Sequence, residues 1–253
     1  MMFFIDTPCY QDSNTALTWV ASATLPESRF AALYYCPIAA RDAWYGGKTI
    51  WGCSGAIAAA CALGDANFVG ATPGIHFSPA GQTRGKLNRQ QIEFVFPEDV
   101  VDRDAFYDAR VNPVVPGASL GAVVDDALTY WPEANYSRFI WVNRIANYIE
   151  YRFLEMATYI QHEPDGLTQA ALHRGMKQIL DDLVMSGAIV KPRGATTGED
   201  ASPYTFTVSQ TAMDGGPYTF LVEQPEIDRW LVTWAFCPTG SARRIVGQPI
   251  LLV

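Results

Sequence analysis

The segment Phe30-Ala31-Ala32-Leu33-Tyr34-Tyr35-Cys36-Pro37 is apolar over its whole length and stops at a proline. A short, unbroken run of apolar residues predicts a strand that is buried on both faces, here residues 31–35. Further along, residues 54–63 are almost all small and apolar, which predicts a helix that Gly64 ends as a C-cap. A buried strand followed by a helix indicates the α/β class.

The sequence around this segment predicts the other elements of the first half. Residues 2–5 predict a strand, and residues 14–23 predict a helix whose Leu17 and Val20 share one face. Ser13 or Asn14 is the expected N-cap of that helix. Residues 69–89 are rich in glycine and proline and predict loops, whereas the alternation at 92–96 predicts a strand.

The second half begins with two predicted helices and ends in predicted strands. Residues 139–142 predict a strand that leads into a helix over 144–162, and Pro164 separates this helix from a second one over 168–185. Gly187 follows the second helix, and its expected buried stripe consists of Leu172, Met176, Ile179, Leu180 and Leu183. Residues 204–208, 219–223, 230–236 and 243–253 predict four β-segments.

The predicted fold class is therefore α/β, with mixed sheets flanked by helices, a β-rich C-terminal end and a terminal arm that exchanges strands. A boundary is expected within residues 116–126, which gives two domains, 1–124 and 125–253. The length of 253 residues accommodates two such domains with cores of their own.

Composition excludes several classes of function. The net charge of −8 argues against nucleic acid as a main partner, since phosphate binding needs a basic face. No apolar run is long enough to cross a membrane, and residues 1–6 do not resemble a secretion signal. The five cysteines lack metal-like spacing and predict reduced, buried thiols, so we expect no metal and no cofactor.

Two motif fragments fail on spacing. Gly46-Gly47-Lys48-Thr49 matches the end of a phosphate-binding loop, but Asp42 stands where that loop requires its first glycine, so we predict a surface turn. His162-Glu163 matches the start of a zinc-protease helix, but Gly166 stands where the second histidine belongs.

Ser54 carries the alternative hypothesis, that of a soluble α/β serine hydrolase. Gly52-Cys53-Ser54-Gly55 opens a predicted helix, as the nucleophile of an esterase does, but Ala56 replaces the required glycine. All three histidines follow Ser54, which excludes the subtilisin order of a catalytic triad. The structural interpretation is that Ser54 caps the helix and that the glycines allow close packing.

The chain end is uncharged after its last two arginines and rich in β-prone residues. Such an end is an aggregation hazard unless it is paired. It is either an edge strand of its own sheet or a strand that completes the sheet of a neighbouring subunit. The second possibility predicts the following residues for linkage between subunits: Arg243, Arg244, Ile245, Val246, Ile250, Leu251, Leu252 and Val253.

Several segments together resemble the tail sheath proteins of contractile phage tails and related injection machines, in the order expected for that family. In this chain they are FFIDTP (3–8), FAALYYCP (30–37), GCSGAIAAA (52–60), VGATPG (69–74), VNPV (111–114), FIWVNR (139–144) with YIE (148–150), WAFCP (234–238) and IVGQPILLV (245–253). Asn143 replaces one of two arginines that are usual in the family, and Ala56 replaces a glycine. The likeness covers nearly the whole chain.

The resemblance implies a non-enzymatic structural subunit. Residues 1–124 would be the subtilisin-like sheath core without a catalytic triad, and 125–253 the sheath C-terminal domain with its linking strand. Copies would polymerise helically around an inner tail tube by strand exchange, and contraction would drive the tube through the host envelope. The implied partners are other copies, the tube protein, and the baseplate and tail terminator proteins, in a virion tail assembled in the host cytoplasm.

Two further expectations accompany the resemblance. Family members usually have more chain before the first strand, so we expect either a pared-down sheath or a missing arm on another polypeptide. Arg174 and Lys177, on the second predicted helix, are expected to face an acidic tube. A related protein that forms a single ring at the tail cap or baseplate is a further alternative.

Overall fold

The computed structural model describes residues 2–42, 44, 46–88, 91–117, 121–192, 202–210 and 230–240. These residues form two compact units, one from 2–68 and 73–144, the other from 69–72 and 145–239. The predicted boundary at 124/125 lies within the first of these units. The assignment of residues 1–124 and 125–253 to the two sheath domains remains a prediction.

The first unit alternates strands and helices, as the sequence predicts. Its strands are β1 (Phe3–Asp6), β2 (Ala31–Tyr35), β3 (Ile38–Arg41), β4 (Lys48–Trp51), β5 (Glu93–Phe94), β6 (Val111–Pro116) and β7 (Ala122–Val124). Its helices are α1 (Ser13–Ser22), α2 (Ser54–Ala66), α3 (Gly81–Arg84) and α4 (Arg103–Asp108), and a 3-10 turn spans Tyr136–Arg138.

The main sheet has the order β1-β2-β6-β7, with the first three strands parallel and β7 antiparallel to β6. Strand β2 is buried along its whole length. Ala32 and Tyr34 contribute to a core with Ile57 of α2, whereas Leu33 and Tyr35 contribute to a second core with residues of α1 and α4. Burial on both faces explains why the β2 segment is apolar without alternation.

The helix caps differ from the predictions. Asp12, rather than Ser13 or Asn14, caps α1 by accepting from the Thr15 N–H at 2.9 Å. Ser54 is the first residue of α2 instead of its cap, and Gly64 lies inside the helix, which ends at Ala66 with Asn67 as its C-cap. The prediction that Gly64 ends the helix is wrong because two further residues, Asp65 and Ala66, continue it.

Strands β3 and β4 form an antiparallel hairpin in the smaller sheet β4-β3-β5. Its turn contains Gly46 and Gly47, which both have positive φ, a conformation that glycine adopts without strain. Asp42 closes the turn by donating its N–H to the Gly47 carbonyl at 3.1 Å. The surface turn predicted at this sequence is confirmed.

The second unit consists of helices and a two-stranded sheet. Its elements are α6 (Asp165–Met185), β8 (Tyr204–Gln210), β9 (Trp230–Phe236) and most of α5 (Ile140–Ile160). The predicted stripe of α6 is confirmed, since Leu172, Met176, Ile179, Leu180 and Leu183 are all buried. Gly187 has positive φ just beyond the helix, as a C-terminal glycine often does.

The strand predicted at 139–142 is wrong, because α5 begins at Ile140. Ile140, Trp141 and Val142 belong to the first turn of that helix and are buried in the core of the first unit. A short, wholly buried helical turn has the same apolar pattern as a buried strand, so periodicity does not distinguish them. The predicted strands at 219–223 and 243–253 lie outside the described residues.

Replacing Gly74 by alanine is expected to destabilise the first unit by about 2–4 kcal/mol, in the range of severe core substitutions. A Cβ at Gly74 would collide with the Gly64 carbonyl oxygen and lie 2.6 Å from the Asn67 carbonyl oxygen, and backbone atoms yield less easily than side chains. Gly55 in α2 has open space around its Cβ position, so Gly55→Ala is a matched control that should stabilise by about 0.5–1 kcal/mol. Urea unfolding of the two variants measures both effects, and equal effects would contradict the packing.

Candidate assembly interface

The two-stranded sheet of the second unit pairs β8 with β9 in antiparallel register from Tyr204↔Phe236 to Gln210↔Trp230. Side chains alternate strictly between two faces, as the period of a β-strand requires. On β9 the half-buried residues are Trp230, Val232, Trp234 and Phe236, and the exposed ones are Leu231, Thr233 and Ala235. The sheet thus has one apolar, inward face and one outward face.

Aromatic contacts hold the inward face against the helices. Phe153 of α5 packs on Trp234 with ring centroids 5.4 Å apart, and His173 of α6 packs on Phe206 at 4.9 Å. Beyond β9, the chain is tied to the segment after α6, because Val190 donates to the Cys237 carbonyl at 3.0 Å. An isolated two-stranded sheet is marginally stable in water, so this support is what fixes it in place.

As far as the structure describes the chain, both outer edges of the two-stranded sheet lack the usual protection against pairing. In the described part of the chain, each strand has a hydrogen-bonded neighbour on one side. Neither 204–210 nor 230–236 contains a charged residue or a proline, which are the residues that natural proteins place at exposed edges. Seven residues of extended edge span about 23 Å, enough to take up a further strand.

This pair of edges is the feature that sequence reasoning missed. The residues of the chain end predict a strand that pairs with a neighbour's sheet, but they do not indicate which sheet would accept it. The available signal was the absence of charge and proline from two neighbouring β-segments.

The predicted linkage residues lie outside the described residues. They are Arg243, Arg244, Ile245, Val246, Ile250, Leu251, Leu252 and Val253, and their role remains a prediction.

The two predicted tube-facing residues are both exposed on α6. Lys177 forms an ion pair with Asp181 one turn later, at 2.5 Å. Asp181 also accepts a hydrogen bond from the Tyr204 hydroxyl of β8. The hydrogen bonds from Lys177 and Tyr204 hold the pKa of Asp181 below its usual value, whereas burial raises the pKa of Tyr204. Arg174 is therefore the cation of the two whose charge is less compensated locally.

The surroundings of Ser54 argue against the hydrolase alternative. Asp6, at the end of β1, accepts from the Cys53 N–H at 2.8 Å and from the Ser54 N–H at 3.1 Å. The N–H groups of a serine nucleophile and of its neighbours are among those that can stabilise an oxyanion. Here a carboxylate already occupies them and caps the helix. A Cβ at Gly52 would collide with the Asp6 carboxylate, so a larger residue there would displace the group that caps the helix.

No helix among the described residues combines the length and the apolarity that a membrane span requires.

Comparison with solved structures identifies the fold. The chain superposes over 98% of its length on a chain of the anti-feeding prophage (AFP) baseplate in contracted state, with a TM-score of 0.70 and 19% identity. It matches the AFP helical sheath in contracted state over 98% of its length, with a TM-score of 0.67 and 17% identity. It also matches the PVC sheath complex of an extracellular contractile injection system, in contracted state, over 97% of its length, with a TM-score of 0.68 and 18% identity.

These matches confirm the resemblance at the level of fold: the chain has the α/β fold of contractile sheath proteins. It covers 64%, 60% and 62% of the three chains, so it spans less than two thirds of their length. No protein-family model and no curated protein matches the sequence. The likeness does not test the subtilisin-like description of residues 1–124, which remains a prediction.

Proposed function

We propose that this chain is a non-enzymatic structural subunit of a contractile tail sheath. It polymerises helically around an inner tail tube and contracts to drive the tube through the host envelope. The observation that carries this proposal is the fold shared with contractile sheath structures over 97% or more of this chain. The blocked helix start at Ser54 is consistent with a protein without hydrolase activity.

In the proposed linkage, the chain end of one copy pairs with the β8–β9 sheet of the next. Residues 245–253 of one copy add to the outer edge of β8 or β9 of a neighbour and form main-chain hydrogen bonds. The donor segment and the acceptor sheet are different surfaces, so the contact is heterologous, and without ring closure it produces a helical polymer. Linked copies stay joined while the remaining interfaces repack as rigid bodies during contraction.

The proposed partners are the proteins that a sheath subunit contacts in a contractile particle. They are other copies of this chain, the inner tube protein, and the baseplate and tail terminator proteins at the two ends. The particle is a virion tail or a related injection machine, assembled in the host cytoplasm.

Reversing the charge of Arg174 and Lys177 together, as Arg174→Glu with Lys177→Glu, is expected to weaken tube binding about tenfold or more at low salt. Like charges facing an acidic tube repel, and salt screens this repulsion. Co-sedimentation with tubes at several salt concentrations measures the effect. Lys191→Glu reverses another exposed cation of the same unit and is the control. An equal loss in that control would show that general charge, and not this face of α6, is responsible.

Electron microscopy of the purified chain, alone and with inner tubes, tests the proposed function. We expect hollow sleeves of helical symmetry. Single rings would instead indicate a tail cap or baseplate protein. Compact monomers with esterase turnover that Ser54→Ala abolishes would indicate the hydrolase.

A further inference from the structure

A groove lies along helix α2 in the first unit. Its volume is about 660 Å³, and it is lined by residues of α2, by Asn67 and by four residues of the segment 83–88. No α2 residue that lines it is charged, and all but one are glycine or alanine. The exception is Leu63, which is 69% exposed. This surface, the α2 groove, therefore leaves apolar side chains open to solvent, as docking surfaces do.

The charged residues of the α2 groove are both cations. Arg84 and Lys86 are exposed, and no carboxylate is among the described residues that line the groove. The Arg84 guanidinium carbon lies 4.0 Å from the centroid of the Phe77 ring, a cation–π contact that holds this charge in place.

Most other cations of the first unit are already neutralised by carboxylates of their own chain. They are Lys48, Arg103, Arg110 and Arg144. Within the described ranges, Arg84 and Lys86 have no ion-pair partner of this kind. The groove is therefore suited to an acidic ligand with an apolar side chain.

The chain between β5 and α4 has this character. Residues 97–102, the acidic loop, contain three carboxylates and no cation. Glu98 is exposed, and Val100 is 87% exposed. Asp99 accepts from the N–H and from the hydroxyl of Ser13, both at 2.7 Å, and Asp102 caps α4. These two anchors hold the loop in place, so it presents one apolar side chain between carboxylates.

The α2 groove and the acidic loop lie on opposite faces of the main sheet. Ala56 of the groove packs against the core that contains Tyr34 of β2. Val101 of the loop packs against the other core, which contains Tyr35. Successive residues of a strand point to opposite faces, so the sheet separates the two surfaces. They do not meet within one copy, but they are placed to meet between two.

We propose that the acidic loop of one copy docks in the α2 groove of another copy. Val100 packs on the small residues of α2, and Glu98 faces Arg84 and Lys86. The two surfaces differ, so the contact is heterologous and joins copies in series. A single loop buries less than the roughly 1,200 Å² of a stable specific interface, so the contact adds to others in a polymer. The inference rests on the proposed function, in which copies of this chain pack side by side.

Cross-linking between two variants tests the contact, because a covalent link also traps short-lived encounters. One full-length variant carries Ala59→Cys in the groove and the other Val100→Cys in the loop. Both also carry serine in place of Cys9 and Cys237, the native thiols that are partly exposed. The two are mixed with a short bismaleimide, and the linked peptides are identified by mass spectrometry. We expect a dimer that joins positions 59 and 100.

Ala58→Cys is the matched control for the groove position, because Ala58 is exposed on the same helix but does not line the groove. Mixed with Val100→Cys, it should give a several-fold lower yield of linked dimer. Equal yields from positions 58 and 59, or no link to position 100 from either, would overturn the proposal.

A charge exchange tests the assigned pairing. Lys86→Glu and Glu98→Lys should each raise the protein concentration needed for assembly about three- to tenfold at low salt, since each places like charges in contact. A chain with both changes should return most of the way to the wild-type value, because loop and groove are again opposite in charge. Arg41→Glu reverses an exposed cation outside the groove and is the control. A double variant no better than the single ones would contradict the pairing.

The outcomes separate this contact from the proposed function. Hollow sleeves that form equally well from all these variants, without the 59–100 link, would overturn the contact and leave the sheath function standing. A 59–100 link in a chain that never forms sleeves would support the contact and contradict the sheath function. Loss of both would overturn both.

Discussion

Removing residues 245–253 is expected to abolish helical polymer formation while the subunit stays folded. The described cores of both units are built without these residues. The polymer, in contrast, would lose a strand whose main-chain hydrogen bonds each contribute about 0.5–1.5 kcal/mol. The loss of several such bonds weakens association by several orders of magnitude, since about 1.4 kcal/mol is a factor of ten. Sedimentation velocity and electron microscopy measure assembly, and circular dichroism measures folding.

A variant of equal length separates the loss of the strand from the loss of chain. Replacing 245–253 by a glycine–serine segment keeps the length but removes the β-prone side chains, and it should also fail to polymerise. A synthetic peptide of sequence 245–253 should bind the truncated subunit. Polymers of normal length from the truncated chain would contradict the linkage.

Asn112→Ala is expected to destabilise the first unit by about 3–6 kcal/mol. Asn112 is fully buried, and its side chain donates to the carbonyl oxygens of Leu33 and Leu128, each at 2.9 Å. Its Oδ1 accepts from the Leu128 N–H at 2.6 Å. Truncation leaves three buried backbone groups without their partner, at about 1–3 kcal/mol each. Such a loss approaches the whole stability of a typical domain.

Urea unfolding monitored by tryptophan fluorescence measures this loss. Asn67→Ala is the matched control, because Asn67 is exposed and its side chain donates one described hydrogen bond, to the Leu63 carbonyl at 3.0 Å. The control should cost less than about 1 kcal/mol. Similar costs for the two variants would show that the buried asparagine does not join β2, β6 and the chain after β7.

Elements dominated by local or periodic signals could be predicted from the sequence. The run at 31–35 is β2 with the same bounds, and the stripe of α6 is buried as predicted. In both cases, residues of one segment decide the outcome because their burial is periodic or complete.

Features that depend on distant residues could not be predicted. The carboxylate that caps α2 comes from Asp6, 47 residues before Cys53. Residues 140–142 form the first turn of α5 and are buried in the core of the first unit, and their apolar pattern fits a helix as well as a strand. The receiving edges of β8 and β9 also depend on pairing across a long connection. The lack of charge in these two segments indicates open sheet edges only once the pairing of β8 with β9 is known.

A cryo-electron microscopy structure of the assembled chain tests the proposed linkage most directly. We expect residues 245–253 of one subunit to form an additional strand that is hydrogen-bonded to the outer edge of β8 or β9 of another subunit. It would be contradicted by a structure in which that segment pairs entirely within its own subunit and no main-chain hydrogen bonds join one copy to the next.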